Sequence, residues 1–503
     1  MNLRDLLRGV TADPVAAVPV AGIACHSKQV RPGDLFVAIA GATMDGHQFI
    51  EEAIRRGASA VVAQRLPAGR SNRTFATRQG KEASARACPC LVVPDTHQAL
   101  VAIATRFYGH PSRKLKLLGV TGTNGKTTTT YLLKAMLERA GESVGLLGTI
   151  VYQIGGRMVP SLNTTPGPLE LARYFAQMVG EGLSWCAMEV SSHALAQGRI
   201  DGLEFEASIF TNLGSDHLDY HKTRDAYAAA KRRLFDYIRP GGCAVVNLDD
   251  EYGRVLAETI PNRPVVTYGV ERPGKISVKH LVCSWQGTEL ILETPWGVVP
   301  IATPLVGRHN VWNLTAAAAT LLALDLSPGA IREGLASVEQ VPGRLERVPN
   351  PEELNIVIDY AHTADALRLA LVSLRELTRG RLIVVFGCGG NRDLTKRPVM
   401  GKMASLLADR VILTSDNPRG EDPMEIIRQI QAGFPPGFAQ CDVVPDREQA
   451  IVTTLSAAKR DDTVLIAGKG HEAYQTFQHV SVPFSDREVV ERWVESRHTV
   501  AVS

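Results

Sequence analysis

Residues 119–130 read GVTGTNGKTTTT and grow out of the apolar run LKLLGV at 115–120. An apolar run, a glycine-bearing loop and then Lys-Thr opening a helical stretch make a strand–loop–helix order. Gly122 and Gly125 let backbone N–H groups close around phosphate at a helix N-terminus, where those groups lack partners. Lys126 reaches the outer phosphates and the Thr127 hydroxyl suits Mg2+. Val120 stands where the full phosphate-loop pattern has its first glycine, so the motif is the shorter Gly122-x-x-Gly125-Lys126-Thr127. A chance GKT turn is the bland reading. The strand–loop–helix context favours nucleotide binding and places the middle of the chain in the α/β class.

Working outward, SWCAMEV (184–190), ASIFTNL (207–213) and GCAVVNL (242–248) are also near-continuous apolar runs. Parallel strands covered on both faces read this way. HNVWNLTAAAATLLALDL (309–326) predicts a helix, and GDLFVAIAG (33–41) a strand leaving a turn. FIEEAIRRGASAVVAQ (49–64) predicts a helix, a glycine stop and a strand. Residues 65–87 are basic and polar, which predicts an exposed loop. Aromatic interleaving for nucleic acid is missing there. VPGRLERVPNPEEL (341–354) is rich in proline and charge, as linkers are.

After that stretch the alternation restarts, with NIVIDYA, RLIVVFGCG, RVILTSD, CDVVPD and DTVLIAGKG as strands of a second doubly wound sheet. Ligands of such sheets sit at the C-terminal ends of the strands. Four of these runs end in DYAHT, GCGGNRD, TSDNPR and AGKGHE, so TSDNPR (414–419) is one of a set and not an isolated turn. The expected fold class is α/β with three domains. They are a small N-terminal α/β domain (1–110), a central P-loop ATPase with a parallel sheet (111–338) and a C-terminal Rossmann-like domain (339–503).

The bulk composition agrees. The chain has 503 residues, 45% hydrophobic and 21% charged, with a formal net charge of +3. That charge is too mild to argue for nucleic acid or a membrane surface. Eight cysteines lie scattered with no CxxC pair, which predicts reduced thiols in a cytoplasmic protein. No apolar run approaches the roughly 18 residues of a membrane span.

Other stretches are ambiguous alone. In MEVSSHALAQGR (188–199), Glu189 is a strand-end carboxylate able to hold Mg2+, or simply an acid facing water. His217 and Lys231, in 214–235, are metal-site candidates or a turn residue and a solvated lysine. Asn310 and Asn313 could read a base edge or cap a helix.

GTNGKTTT, NTTP (163–166), EVSSHAL, SDHLDYH with AAK, GRHNVWN, PGR (342–344), DYAHT, GCGGNRD, DNPR and AGKGHE run in this order across nearly the whole chain. Together they resemble the Mur ligase family. The resemblance implies ATP-dependent amide formation in cytoplasmic peptidoglycan precursor synthesis, by a monomer that binds no nucleic acid. The γ-carboxylate of D-Glu in UDP-MurNAc-L-Ala-D-Glu attacks the ATP γ-phosphate, and an amine then displaces phosphate from the acyl phosphate. It implies ATP contacts at Gly122, Thr123, Asn124, Gly125, Lys126, Thr127, Thr128, Asn310, Arg344 and Asp359. Catalysis falls to Lys126, Glu189, His217 and Lys231. Two Mg2+ ions are implied, one at Thr127 and Glu189 and one at His217 and Lys231, with Lys231 carrying a CO2-derived carbamate.

For the UDP-substrate the resemblance points to Cys25, Ser27, Asn163, Thr164, Thr165, Ser191, Gln197 and Arg199. For the amine it points to Arg392, Asp416, Asn417, Pro418, Arg419, Gly468 and Glu472. The chain departs from the family pattern at His26-Ser27-Lys28, Asn391 and Ala364. The DNPR form resembles the members that add meso-diaminopimelate, an amino acid that differs from lysine by one carboxylate. A guanidinium grips such a group bidentately. The rivals are a lysine-adding or other Mur-type ligase, a folylpolyglutamate synthase, a dehydrogenase resting on Gly387-Cys388-Gly389-Gly390, and a nucleotide-gated binding protein.

Overall fold

The computed structural model describes residues 1–11, 15–41, 44–66, 74–77, 86–478 and 480–501. Three main sheets follow one another along the chain, of five, eleven and six strands, with a separate two-stranded hairpin near the end. The first sheet has its apolar residues on both faces, with Leu35, Val37 and Val62 on one side and Phe36, Ala38 and Val61 on the other. Helix Ile50–Arg55 ends before Gly57, whose φ of 98° stops it, and strand Ala60–Ala63 follows. Most of the basic stretch 65–87 lies outside the described residues. Within it, Thr74–Thr77 is a strand antiparallel to Arg86–Val92, so that part is sheet and not loop.

In the eleven-stranded sheet the phosphate-loop strand Lys116–Thr121 lies between Trp185–Glu189 and Phe205–Phe210, both parallel to it. The register pairs Glu189 with Val120 and Phe210 with Thr121. Glu189 therefore ends its strand level with the start of the phosphate loop. Helix Lys126–Arg139 and helix Arg308–Ala323 bury one face of this sheet, and helix Pro168–Gly180 belongs to the core of the other. Each edge carries an antiparallel extension absent from the alternating sequence pattern. These are Val151–Ile154 with Arg157–Pro160, and Gly287–Thr294 with Gly297–Thr303.

The six-stranded sheet has five parallel strands, and helices cover both faces. Its sixth strand, Glu346–Val348, lies inside the stretch expected to be a linker and pairs antiparallel with Asn355–Asp359. Backbone pairing to Ile356–Ile358 orders this charged segment, an interaction no local pattern announces. The register pairs Asp359 with Ala467, and Phe386 with Leu413. DYAHT, AGKGHE, GCGGNRD and TSDNPR thus emerge along one edge. Trp285, in the turn after strand Ile276–Ser284, donates its indole N–H to the Leu377 carbonyl at 2.9 Å and links the two larger sheets.

Candidate active site

A cleft of about 220 Å3, open to solvent, lies between the central and C-terminal sheets. Thr123 to Thr128 form one wall with Thr149, Thr164, Glu189, Ser191, Asp216 and His217, while Arg344, Asp359, Tyr360 and His362 form the other. The phosphate loop needs its glycines. Gly122 has φ 149°, and a Cβ there would lie 1.8 Å from Thr211 Oγ1. At Gly125, φ is 87° and a Cβ would lie 2.2 Å from Asn313 Oδ1. We expect Gly122→Ala to abolish ATP-analogue binding by calorimetry, since both strain and clash act at the loop itself.

Lys126 curls back to donate to the Gly122 and Thr123 carbonyls at 2.9 and 3.0 Å. Burial pushes its pKa down, and the Glu189 carboxylate acts against that shift. Thr127 Oγ1 donates to Glu189 Oε1 at 3.0 Å and accepts from Arg344 Nη2 at 3.0 Å. Glu189 is 1% exposed, which excludes a water-facing strand-end acid. Thr149 fixes its carboxylate from backbone and side chain, at 2.7 and 3.0 Å. Converging hard oxygens of Thr127 and Glu189 fit Mg2+.

Lys231 is 1% exposed and is no surface lysine. It donates to the Gly122 carbonyl at 2.9 Å, and its Nζ lies 4.3 Å from the Tyr227 ring centroid. Burial, then repulsion from Lys126, lowers its pKa well below the ordinary value. His217 adopts a left-handed φ of 56° and stacks edge-on to His193 with centroids 4.6 Å apart. Desolvation lowers its pKa to about 4, with Asp216 opposing. Among the described residues no three His, Cys, Asp or Glu side chains converge as a metal site.

Arg344 lies over the Tyr360 ring, 4.7 Å from its centroid, and Asp359 Oδ2 accepts the Leu345 N–H at 2.7 Å. Burial raises the Asp359 pKa, and Arg344 opposes the shift. Asn310 does not line the cleft. It is 1% exposed and donates to the Val306 carbonyl, while its neighbours His309 and Asn313 face the opening.

Thr164, Thr165, Ser191, Gln197 and Arg199 form a continuous hydrogen-bonded run beside Glu189. Thr164 Oγ1 meets Thr149 Oγ1 at 3.1 Å, and Thr165 Oγ1 donates to the Glu189 carbonyl at 2.9 Å. Ser191 donates its N–H to Thr165 Oγ1 at 3.0 Å. Arg199 spans the Thr165 carbonyl and Gln197 Oε1. Asn163 donates its N–H to the Tyr152 hydroxyl oxygen at 3.1 Å. Cys25 and Ser27 belong to the N-terminal sheet region. Ser27 donates to Glu52 Oε2 at 2.7 Å, and burial pushes the Cys25 thiol pKa up.

The amine-side candidates gather at the C-terminal sheet edge. Asp416, Asn417 and Pro418 are buried and Arg419 is half-buried. Arg419 has a left-handed φ of 51° and donates from Nη1 to the Gly390 carbonyl at 2.8 Å. Its backbone N–H bonds to Thr476 of the hairpin at 2.9 Å. Gly468 must be glycine, since a Cβ would stand 2.7 Å from Asp416 Oδ2 at φ 111°. Asn417 Nδ2 donates to Glu472 Oε2 at 2.9 Å, and Arg392 is exposed, its charge acting on Tyr474. Residues no motif flagged also matter. The buried Arg397 grips Glu421 through both Nη atoms at 2.7 and 3.0 Å, and reaches the Gly389 carbonyl at 3.1 Å. It ties the GCGGNRD loop to the segment after DNPR.

Two desolvated histidines stand where the central and C-terminal sheets meet. His309 Nδ1 lies 3.0 Å from Ser373 Oγ, and its pKa falls to about 4 through burial and then Arg344. That of His471 falls to about 3, through burial and then Arg344. Both folded pKa values lie below the unfolded value near 6.5, so the unfolded chain binds more protons as pH falls. The stability they lend is complete above about pH 6.5 and is lost as pH drops toward their folded values. Melting temperature is expected to decline between about pH 7 and 5, and to decline less in His309→Gln.

Three matches cover the chain in series. Residues 19–108 match the Mur ligase family catalytic domain, 120–321 the Mur ligase middle domain and 343–470 the Mur ligase glutamate ligase domain. The chain is 42% identical over 485 residues to the UDP-N-acetylmuramoyl-L-alanyl-D-glutamate–2,6-diaminopimelate ligase of Geobacillus thermodenitrificans, covering 95% of each. It is 42% identical over 502 residues to the enzyme of that name from Gloeobacter violaceus, covering 99% of each. A solved structure of a ligase of that name superposes with TM-score 0.69 at 30% identity, covering 99% of both chains. Mycobacterium tuberculosis folylpolyglutamate synthase shares the fold over 74% of this chain and 92% of its own, with TM-score 0.62 at 19% identity. With full-length identity above 40% and a phosphate loop facing a second sheet across one cleft, this chain belongs to the Mur ligase family.

Proposed function

We propose that this chain joins meso-diaminopimelate to the D-Glu γ-carboxylate of UDP-MurNAc-L-Ala-D-Glu at the expense of ATP, in cytoplasmic peptidoglycan precursor synthesis. The observation that carries the reading is the DNPR loop. It sets Arg419 two residues from Asn417, the hydrogen-bond partner of Glu472, and a guanidinium and a carboxylate both act on Tyr474 from this sheet edge. That pair complements the carboxylate and ammonium at one end of diaminopimelate. The full-length relatives bearing that enzyme's name support it.

In this reading 1–110 holds the UDP end, 111–338 holds ATP and 339–503 holds the amine. The Thr165–Ser191–Arg199 run lies against Glu189 and so brings the peptide end near the phosphate loop. The γ-carboxylate attacks the γ-phosphorus, ADP leaves, and the acyl phosphate forms. The uncharged amine then attacks the acyl carbon, the tetrahedral adduct expels phosphate, and the amine gives up a proton. Two anions meet in the first step, and Lys126 offsets their repulsion. Thr127 and Glu189 would hold Mg2+, which would supply further positive charge there. Arg344 and Asp359, contributed from beyond residue 338, couple nucleotide binding to closure of the cleft.

His217 and Lys231 would hold a second ion, and Lys231 would need to offer a negative group there in place of its amine. A carbamate, formed when the uncharged amine adds CO2 and gives up a proton, would provide it. The reading is tested by incubating the protein with ATP, Mg2+, UDP-MurNAc-L-Ala-D-Glu and meso-diaminopimelate. The amide product should appear by mass spectrometry with one phosphate released per amide. ATP turnover without amide, or no turnover, would refute it.

A further inference from the structure

Lys469 has no part in the scheme above, yet it is a fully buried cation with 0% exposure at the amine pocket's wall. Its Nζ donates to Glu472 Oε2 at 3.1 Å and to Asn417 Oδ1 at 3.3 Å, and lies 5.4 Å from the Tyr474 ring centroid. Burying an ammonium is costly unless it is paired and hydrogen-bonded. Here the partners are two residues of the proposed pocket. Gly468 and Gly470, at φ 111° and 52°, let the chain turn tightly on either side of it.

The consequence falls on Glu472. Its Oε2 accepts from both Asn417 and Lys469, and no described residue donates to Oε1. The side chain is 18% exposed, so the carboxylate is reachable from solvent. Pinned by one oxygen from two directions, it presents the other in a single orientation. Asn417 is held in turn, since its Oδ1 also accepts the Thr476 N–H at 3.0 Å. We propose that Lys469 is the positioning residue of the amine pocket: it fixes Glu472 so that Oε1 receives the ammonium at the far end of the amino-acid substrate.

This inference rests on the proposed amine pocket and adds a residue to it. Lys469→Met keeps the length and apolar stem and removes the charge and the donor. The KM for meso-diaminopimelate should rise about 10-fold or more, as expected for losing a charged hydrogen bond that orients a ligand. KM for ATP and for the UDP-substrate should stay within about twofold, because neither contacts this wall. Acting through Glu472, the change should add nothing in Lys469→Met/Glu472→Gln beyond the effect of Glu472→Gln alone. Lys469→Gln, which retains a donor, should recover part of the loss and decides the matter should the methionine variant not fold.

An unchanged KM for diaminopimelate in a folded variant would overturn the inference. So would additive effects in the double variant, or a uniform fall in all parameters together with a lower melting temperature. Wild-type protein assayed alongside separates the two levels. If it shows no diaminopimelate-dependent turnover, the pocket assignment itself falls, and the role of Lys469 with it.

Discussion

Arg419→Ala is expected to lower kcat/KM for meso-diaminopimelate by about 100-fold and to erase most of the preference over L-lysine. The guanidinium makes one described side-chain hydrogen bond, to the Gly390 carbonyl, which leaves donors for a carboxylate. Its position is over-determined. The backbone is held at a left-handed φ by the hairpin at Thr476 and Gln478, and a Cβ on Gly389 would come within 2.8 Å of Nη1. Lysine lacks the second carboxylate, the one at the far end of diaminopimelate, so binding it leaves the cation without a partner in a partly desolvated pocket. Arg419 is half-buried, and water screens that penalty below the ~3–5 kcal/mol of a fully buried charge. Steady-state kinetics with each amine measure the change. Arg419→Lys should rescue little, because an ammonium cannot grip a carboxylate bidentately.

Lys126→Ala should remove more, with kcat falling by at least about 10³-fold and nucleotide affinity falling less. The lysine bonds within its own loop. It satisfies itself on the carbonyls of Gly122 and Thr123, at 2.9 and 3.0 Å. It can exchange those bonds for phosphate oxygens, whereas alanine leaves the two carbonyls and the developing charge unpaired. The backbone N–H groups of the loop remain, so ADP should still bind by calorimetry while phosphate release stops. Equal losses in ADP binding and turnover would assign Lys126 to nucleotide affinity alone.

The two sheets that frame the cleft were legible because their strands are continuous apolar runs that end in polar clusters. LKLLGV and SWCAMEV lie side by side, and their register brings Glu189 to the phosphate loop. The antiparallel extensions were not legible, since the alternating pattern of the middle region hides edge strands. Nor was strand Glu346–Val348, which long-range pairing builds from a charged, proline-flanked segment. At the site, Lys126, Glu189 and Arg344 carry motif signals. Thr149 carries none, because a threonine in LLGTI has no local mark of the bonds it makes to a carboxylate 40 residues away. Arg397 and Lys469 carry no local mark of their burial, which comes from the approach of distant loops. Lys469 does sit inside AGKGHE, one of the strand-end clusters, which is the signal that could have drawn attention to it.

Phosphate release from ATP, measured with Mg2+ and UDP-MurNAc-L-Ala-D-Glu and with meso-diaminopimelate or L-lysine in parallel, tests the central claim most directly. Strong turnover with diaminopimelate and little with lysine is the predicted result. Equal or faster turnover with lysine would contradict the carboxylate clamp at Arg419, and no turnover with either amine would contradict the ligase reading altogether.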